Sequence, residues 1–286
     1  LPPISFASAA SAQSRTDPTL ACVLRTRLLT AAVLLPAVAA LVLYAPAWFF
    51  TIFNAVAGLW GLYEVAAMTG ALHWVAIPLF AVVGGVPLFS LLYEPNLGWV
   101  GWVVPVIVIV MMLGLVLRIE MAGGGERFRG PRLVFMGAAY VGFLFPFFAL
   151  VRNSPGGIRM LLLVILLAVV SDSGAYFVGR YAGKTPLAPS VSPNKTVEGA
   201  EGGLIATIVA GAILYKMMGL TWSFSSVLLF AATVSILAQL GDLAGSALKR
   251  AAGVKDSGWI FPGHGGLLDR TCSLVFALVF AYYWNR

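Results

Sequence analysis

The chain has 286 residues, of which 60% are hydrophobic and only 10% charged, with a formal net charge of +7. So much apolar surface exceeds what a soluble core of this length buries, which excludes a soluble globular domain and indicates a polytopic membrane protein. The apolar runs are continuous rather than alternating, which excludes a β-barrel. Lipid offers no hydrogen-bond partners, so each span must be helical.

In chain order, residues 1–27 come first, polar and rich in Ser and Ala over their first twenty positions. They are expected to form a disordered tail. The start on Leu rather than Met reads as a trimmed or partial chain, and the Ser-rich composition is too poor in Arg to argue a transit peptide. Apolar segments then follow near 28–45, 47–67, 74–93, 99–117, 133–151, 158–178, 203–219, 224–248 and 267–284. At roughly 20 residues per span this predicts an all-α fold with about nine transmembrane helices. Residues 28–157 are expected to form an N-terminal group of transmembrane helices, and 158–286 a C-terminal transmembrane region that carries the candidate functional residues.

Fourteen of the eighteen Lys and Arg residues fall at one set of alternate loops and helix ends. Arg152, Arg159, Lys216 and Arg286 are the four on the other side. This asymmetry places the N-terminus and the polar loops in the cytoplasm. The basic surplus is therefore topological, and no nucleic-acid partner is expected, since such a surface would interleave aromatic and basic residues in one patch. Cys22 and Cys272 lie far apart on the cytoplasmic side, so no structural disulfide is expected, and no zinc-type spacing exists.

Between residues 28 and 151 the only acids are Glu64, Glu94, Glu120 and Glu126. Glu64 lies within the second span, where an ionisable group is costly and commonly functional. The preferred reading is a residue near a helix end that reaches the interface or pairs with a polar neighbour. The loop 120–132, with Gly123, Gly124 and Gly125 at its tip, reads as a flexible cytoplasmic turn.

From Val169 onward the long helices carry acids at their cytoplasmic ends. Asp172, Tyr176 and Arg180 stand at i, i+4 and i+8 and share one helix face. The following loop, 183–199, has three prolines between Lys184 and Lys195, compact cations suited to phosphate. Ser192, Pro193, Asn194, Lys195 and Thr196 precede a helix and offer hydroxyl and N–H groups to an anion. Lys195-Thr196 is not a nucleotide-binding P-loop, because the glycine spacing and preceding strand are missing. A solvated loop with ordinary topological lysines is the plain alternative.

The eighth span ends with Asp242, Ser246, Lys249 and Arg250, which again make one polar face. Lys255, Asp256, the turn through Gly263-His264-Gly265-Gly266, and Asp269-Arg270 follow. Asp242 and Asp269 both stand where helices meet the cytoplasm, so their carboxylates can converge. Mg2+ is usually held by one or two carboxylates and substrate phosphates. Zn2+ is disfavoured, since this stretch has one His and no clustered Cys.

These residues closely resemble the phosphatidate cytidylyltransferase family, also called CDP-diacylglycerol synthases. The resemblance rests on Ser246-x-x-Lys249-Arg250, Lys255-Asp256-x-Gly258 and Pro262-Gly263-His264-Gly265-Gly266-x-x-Asp269-Arg270. Upstream, Asp172-Ser173-Gly174-Ala175-Tyr176, Gly179-Arg180, Gly183-Lys184 and Ser192-Pro193-x-Lys195-Thr196-x-Glu198-Gly199 are similar to the family too. The specific motifs span roughly residues 169–275. One position departs: the family pattern continues Asp-Arg-x-Asp, and here the second acid is Cys272.

The resemblance implies that CTP and phosphatidate in the bilayer react to CDP-diacylglycerol and pyrophosphate, with Mg2+ as cofactor, on the cytoplasmic face of the cell inner membrane. Asp242 and Asp269 are then the expected metal ligands. Lys195, Lys249, Arg250, Lys255 and Arg270 would neutralise the phosphates, and Ser192, Ser246, Arg180 and Lys184 would contact substrate. Asp172 and Asp256 would orient those cations or bind a second cation, and His264 would assist the leaving pyrophosphate. A homodimer is one assembly open to the chain. Three other readings stay open: a CTP-dependent enzyme of another lipid, a homologue impaired by Cys272, and an ion-coupled transporter. The transporter predicts acids near mid-membrane and pseudo-repeats, and neither is visible in the sequence.

Overall fold

Backbone groups in an apolar surround must pair within their own segment, and the apolar runs accordingly form helices. The computed structural model describes residues 36–70, 78, 81–87, 89, 100–123, 131–260 and 265–285. Residues 36–44 are helical, and Pro46 separates them from α1 (Ala47–Thr69). A short π-helical segment, Ala81–Gly85, follows, then α2 (Val100–Met121) and α3 (Pro131–Leu144). α4 (Phe147–Asn153) and α5 (Gly157–Ala182) lead to a hairpin of β1 (Pro186–Ala188) and β2 (Ser192–Thr196). The remaining elements are α6 (Val197–Met217), α7 (Phe224–Ala252) and α8 (Leu268–Trp284).

Among the described residues six helical segments are long and apolar enough to cross a membrane: α1, α2, α3 with α4, α5, α6 and α7. The chain is an integral membrane protein built of helices. Of the expected span 74–93, only residue 78 and part of 81–89 are described, and the first half of 28–45 lies outside the described residues.

Three expectations are corrected. The span expected at 133–151 is broken at residues 145–146, because Pro146 cannot donate a backbone hydrogen bond; α3 ends before it and α4 starts after it. Residues 183–199, expected to be loop, contain an antiparallel hairpin that pairs Pro186 with Thr196 and Ala188 with Ser192. A two-stranded ribbon tolerates its prolines, since both of its strands are edges. α6 begins at Val197 rather than 203, because Thr196 caps it by accepting the Gly199 N–H at 3.1 Å.

Helix length places the polar ends. At 1.5 Å per residue, the 26 residues of α5 and 29 of α7 span about 39 and 43 Å. The hydrocarbon is only about 30 Å thick, so the last turns of both helices reach into the headgroup region. Alternating chain direction brings the start of α6, and that of α8, to the same end. The apolar core lies beneath, where Phe230, Val234 and Ala238 of α7 are buried with Phe276 and Leu278 of α8.

Candidate active site

At this polar end a cavity of about 580 Å³ opens between α5, the hairpin, the start of α6 and α7. It lies in the range of roughly 300–1,000 Å³ common to small-molecule sites. Asp172, Tyr176 and Arg180 line it from α5, as their eight-residue spacing predicts, and Arg180 Nη1 donates to the Tyr176 hydroxyl at 3.1 Å. Ser192, Asn194 and Lys195 enter from the hairpin, and Gln239 and Asp242 from α7. Lys195 closes an ion pair with Asp242 across the cavity. Arg270, at the start of α8, lies within electrostatic range of Asp172, as do Lys195 and Asp242. Two carboxylates, Asp172 and Asp242, and three cations, Arg180, Lys195 and Arg270, thus gather at the mouth.

The hairpin is held by three side chains that reach its backbone. Glu120 of α2 accepts the Ser190 N–H at 3.0 Å and the Val191 N–H at 2.8 Å. Glu198 accepts the N–H groups of Lys184 at 3.0 Å and Thr185 at 3.1 Å. Arg250 donates to the carbonyls of Val191 at 3.3 Å and Val254 at 3.4 Å. Lys195 is therefore presented on a fixed strand.

Asp269 does not line this cavity. One of its oxygens pairs with Lys249 at 2.5 Å, and the other accepts the N–H groups of Ser257 and Gly266, both at 2.9 Å. Its side chain is 5% exposed and that of Lys249 15%. The expected convergence of Asp242 and Asp269 takes the form of two separate lysine pairs joined by a thiol. Cys272 Sγ donates to Asp242 Oδ1 at 3.4 Å and stands 4.0 Å from the Asp269 carbonyl oxygen. Gly241 and Gly245 let α8 approach here, since a Cβ at either would collide with Cys272.

Among the described residues no group of three or more His, Cys, Asp or Glu side chains is placed to hold a metal alone. Asp242 and Asp172 present two oxygen ligands to the cavity, a donor set that fits Mg2+ completed by phosphate oxygens. Asp269 joins such a set only if Lys249 moves from it to a phosphate.

The other expected site residues are more dispersed. Lys184, Lys255, Asp256 and Arg270 are exposed around the same end, and Ser246 is half-buried on α7. His264 lies outside the described residues. Gln239 emerges only from the structure: its amide donates to the Ala200 carbonyl at 3.1 Å and Ser235 Oγ at 3.2 Å at the cavity floor. Its signal in the sequence was a lone amide one helical turn before Asp242. Glu64 likewise proves to be deeply buried, at 2% exposure, and surrounded by donors from the α7–α8 loop.

Residues 25–286 match the model of the cytidylyltransferase family. The phosphatidate cytidylyltransferase of Bacillus subtilis (strain 168) is 43% identical over 149 residues, covering 52% of this chain and 55% of that protein. Its counterpart from Staphylococcus epidermidis (strain ATCC 12228) is 43% identical over 143 residues, 50% of this chain and 54% of that protein. That of Staphylococcus aureus (strain COL) is 41% identical over 143 residues, with the same coverage. The chain spans about half the length of the curated relatives it matches.

Proposed function

The chain belongs to the cytidylyltransferase family, and from that membership and its polar cavity we propose that it transfers the cytidylyl group of CTP to phosphatidate. An oxygen of the phosphatidate phosphate forms a bond to the α-phosphorus of CTP. The bond from that phosphorus to the bridging oxygen breaks, and pyrophosphate leaves. The products are CDP-diacylglycerol and pyrophosphate. We place the N-terminus and the cavity on the cytoplasmic side of the cell inner membrane, with about nine spans.

The observation that carries the reading is the Asp242–Lys195 pair inside a cavity at the membrane-surface end of the bundle. The phosphate monoester, with a second pKa near 6, is already largely dianionic near neutral pH and needs no strong general base. The difficulty is bringing a dianion against a triphosphate, so charge neutralisation and in-line positioning dominate. Lys195 releases Asp242 and turns to phosphate, with Arg270 and Arg180 at the same mouth. Lys249 stands behind, ready to exchange Asp269 for the leaving pyrophosphate. Mg2+, when bound, supplies further neutralisation of the triphosphate. Asp242 would hold it, with Asp172 as the second ligand facing the cavity and Asp269 as the one behind Lys249. CTP enters from water, and the lipid phosphate enters at headgroup depth.

The test is a substrate panel. The purified protein in vesicles is given CTP labelled at the α-phosphorus with phosphatidate, a polyprenyl phosphate or phosphatidylinositol as acceptor. Label in lipid with phosphatidate alone supports the reading, and label with another acceptor alone overturns the substrate assignment.

A further inference from the structure

We infer that Glu64 is a positioning residue for the transfer, acting from α1 on the α7–α8 loop and through it on Asp269 and Lys249. This inference rests on the proposed function. Glu64 is buried in a helix that contributes nothing to the cavity lining, and all its partners but Trp60 lie 193 to 204 positions away in sequence.

Four donors converge on its two oxygens. Oε1 accepts the Trp60 indole N–H at 3.0 Å and the Leu267 N–H at 2.7 Å. Oε2 accepts the Ser257 hydroxyl at 2.8 Å and the Leu268 N–H at 3.0 Å. Leu267 caps α8 without a capping side chain of its own, so Glu64 serves as the missing cap from another helix. Negative charge there also faces the positive end of the α8 dipole.

The arrangement goes beyond a cap because Ser257 is shared. Its hydroxyl lies 2.8 Å from Glu64 and 3.1 Å from Asp269 Oδ2, while its N–H also donates to that Asp269 oxygen. The other Asp269 oxygen holds Lys249. A continuous chain therefore runs from Glu64 through Ser257 and Asp269 to the ammonium group proposed to meet the leaving phosphates. Glycines make room for it: a Cβ at Gly266 would stand 2.6 Å from both Glu64 oxygens, and one at Gly258 2.8 Å from Oε1. The loop backbone wraps the carboxylate at contact distance.

Glutamine cannot replace it. Either orientation of the amide turns an NH2 group against two of the four donors. Alanine at Ser257 removes the hydroxyl that joins Glu64 to Asp269, and leaves the Leu267 and Leu268 contacts to Glu64 and the Ser257 N–H bond to Asp269 in place.

The experiment compares wild type, Glu64→Gln and Ser257→Ala in phosphatidate vesicles, with rates expressed per folded molecule. It also follows amide hydrogen exchange over residues 265–269. We expect kcat to fall about 10- to 100-fold in both variants, with KM for phosphatidate changed less, as misplacement of a distant support does. Exchange should rise in Glu64→Gln without substrate present. Wild-type kcat per folded molecule in Glu64→Gln, or unchanged exchange, would overturn the positioning role while leaving the proposed function standing. A folded wild type without transfer activity would overturn both.

Discussion

Tyr140 and Cys272 offer a sharp test of how the proposed metal-binding end of the site is built. Tyr140 is buried in α3, and its hydroxyl has no hydrogen-bond partner among the described residues. It lies within electrostatic range of Cys272 and Asp242, and its ring meets Phe276, one turn beyond Cys272, at 6.3 Å between centroids. A buried hydroxyl without a partner costs about 1–3 kcal/mol. Tyr140→Phe should therefore stabilise the present chain, by about 1 kcal/mol. Cys272→Asp places the acid of the pattern that the chain resembles within electrostatic range of that hydroxyl, and a hydrogen bond to a charged group is worth about 1.5–3 kcal/mol. In that background Tyr140→Phe should be destabilising. The cycle of four proteins, unfolded in one detergent, should give a coupling of about 2.5–4 kcal/mol. Cys272→Asp should also lower the Mg2+ concentration for half-maximal turnover, by about tenfold, since it adds an oxygen beside Asp242 where a thiol is a poor partner for a hard cation. The same Tyr140→Phe effect in both backgrounds would refute the reasoning.

Other outcomes follow from the two lysine pairs. Lys249→Met leaves Asp269 buried without its cation and should cost about 3–5 kcal/mol in unfolding measurements. The double change with Asp269→Asn should recover much of that stability but no turnover; recovered turnover would show the pair to be structural only. Asp172→Asn should raise the Mg2+ requirement more than Asp269→Asn does, because Asp172 faces the cavity and Asp269 faces Lys249. The opposite order in a Mg2+ titration would place the metal between Asp242 and Asp269.

The parts of the site legible in the sequence are those set by a single helix. Asp172, Tyr176 and Arg180 share a face because of helical geometry, whatever surrounds them, and all three line the cavity. Asp242, Ser246, Lys249 and Arg250 are likewise legible as one face of a single helix, although of these only Asp242 lines the cavity. What stayed hidden depends on contacts between distant segments. No local pattern at Glu64 announces Ser257, Leu267 or Leu268; of the two roles expected there, reaching the membrane interface or pairing with a polar neighbour, the buried carboxylate takes the second, with Trp60 and Ser257, and adds the backbone donors of α8. The hairpin was masked by its prolines, and the start of α6 by Glu198, Glu201 and the glycines, which dilute the apolar signal there. The pairing of Asp269 with Lys249 was likewise beyond a reading that knew only that both stood near helix ends.

The most direct measurement follows the α-phosphorus of CTP. Wild-type and Asp242→Asn proteins, matched for folding by circular dichroism, are incubated in phosphatidate vesicles with Mg2+ and CTP labelled at that atom. The account predicts label in CDP-diacylglycerol for the wild type, and a loss of at least about a hundredfold in Asp242→Asn. Equal labelling of lipid by the two proteins would contradict it.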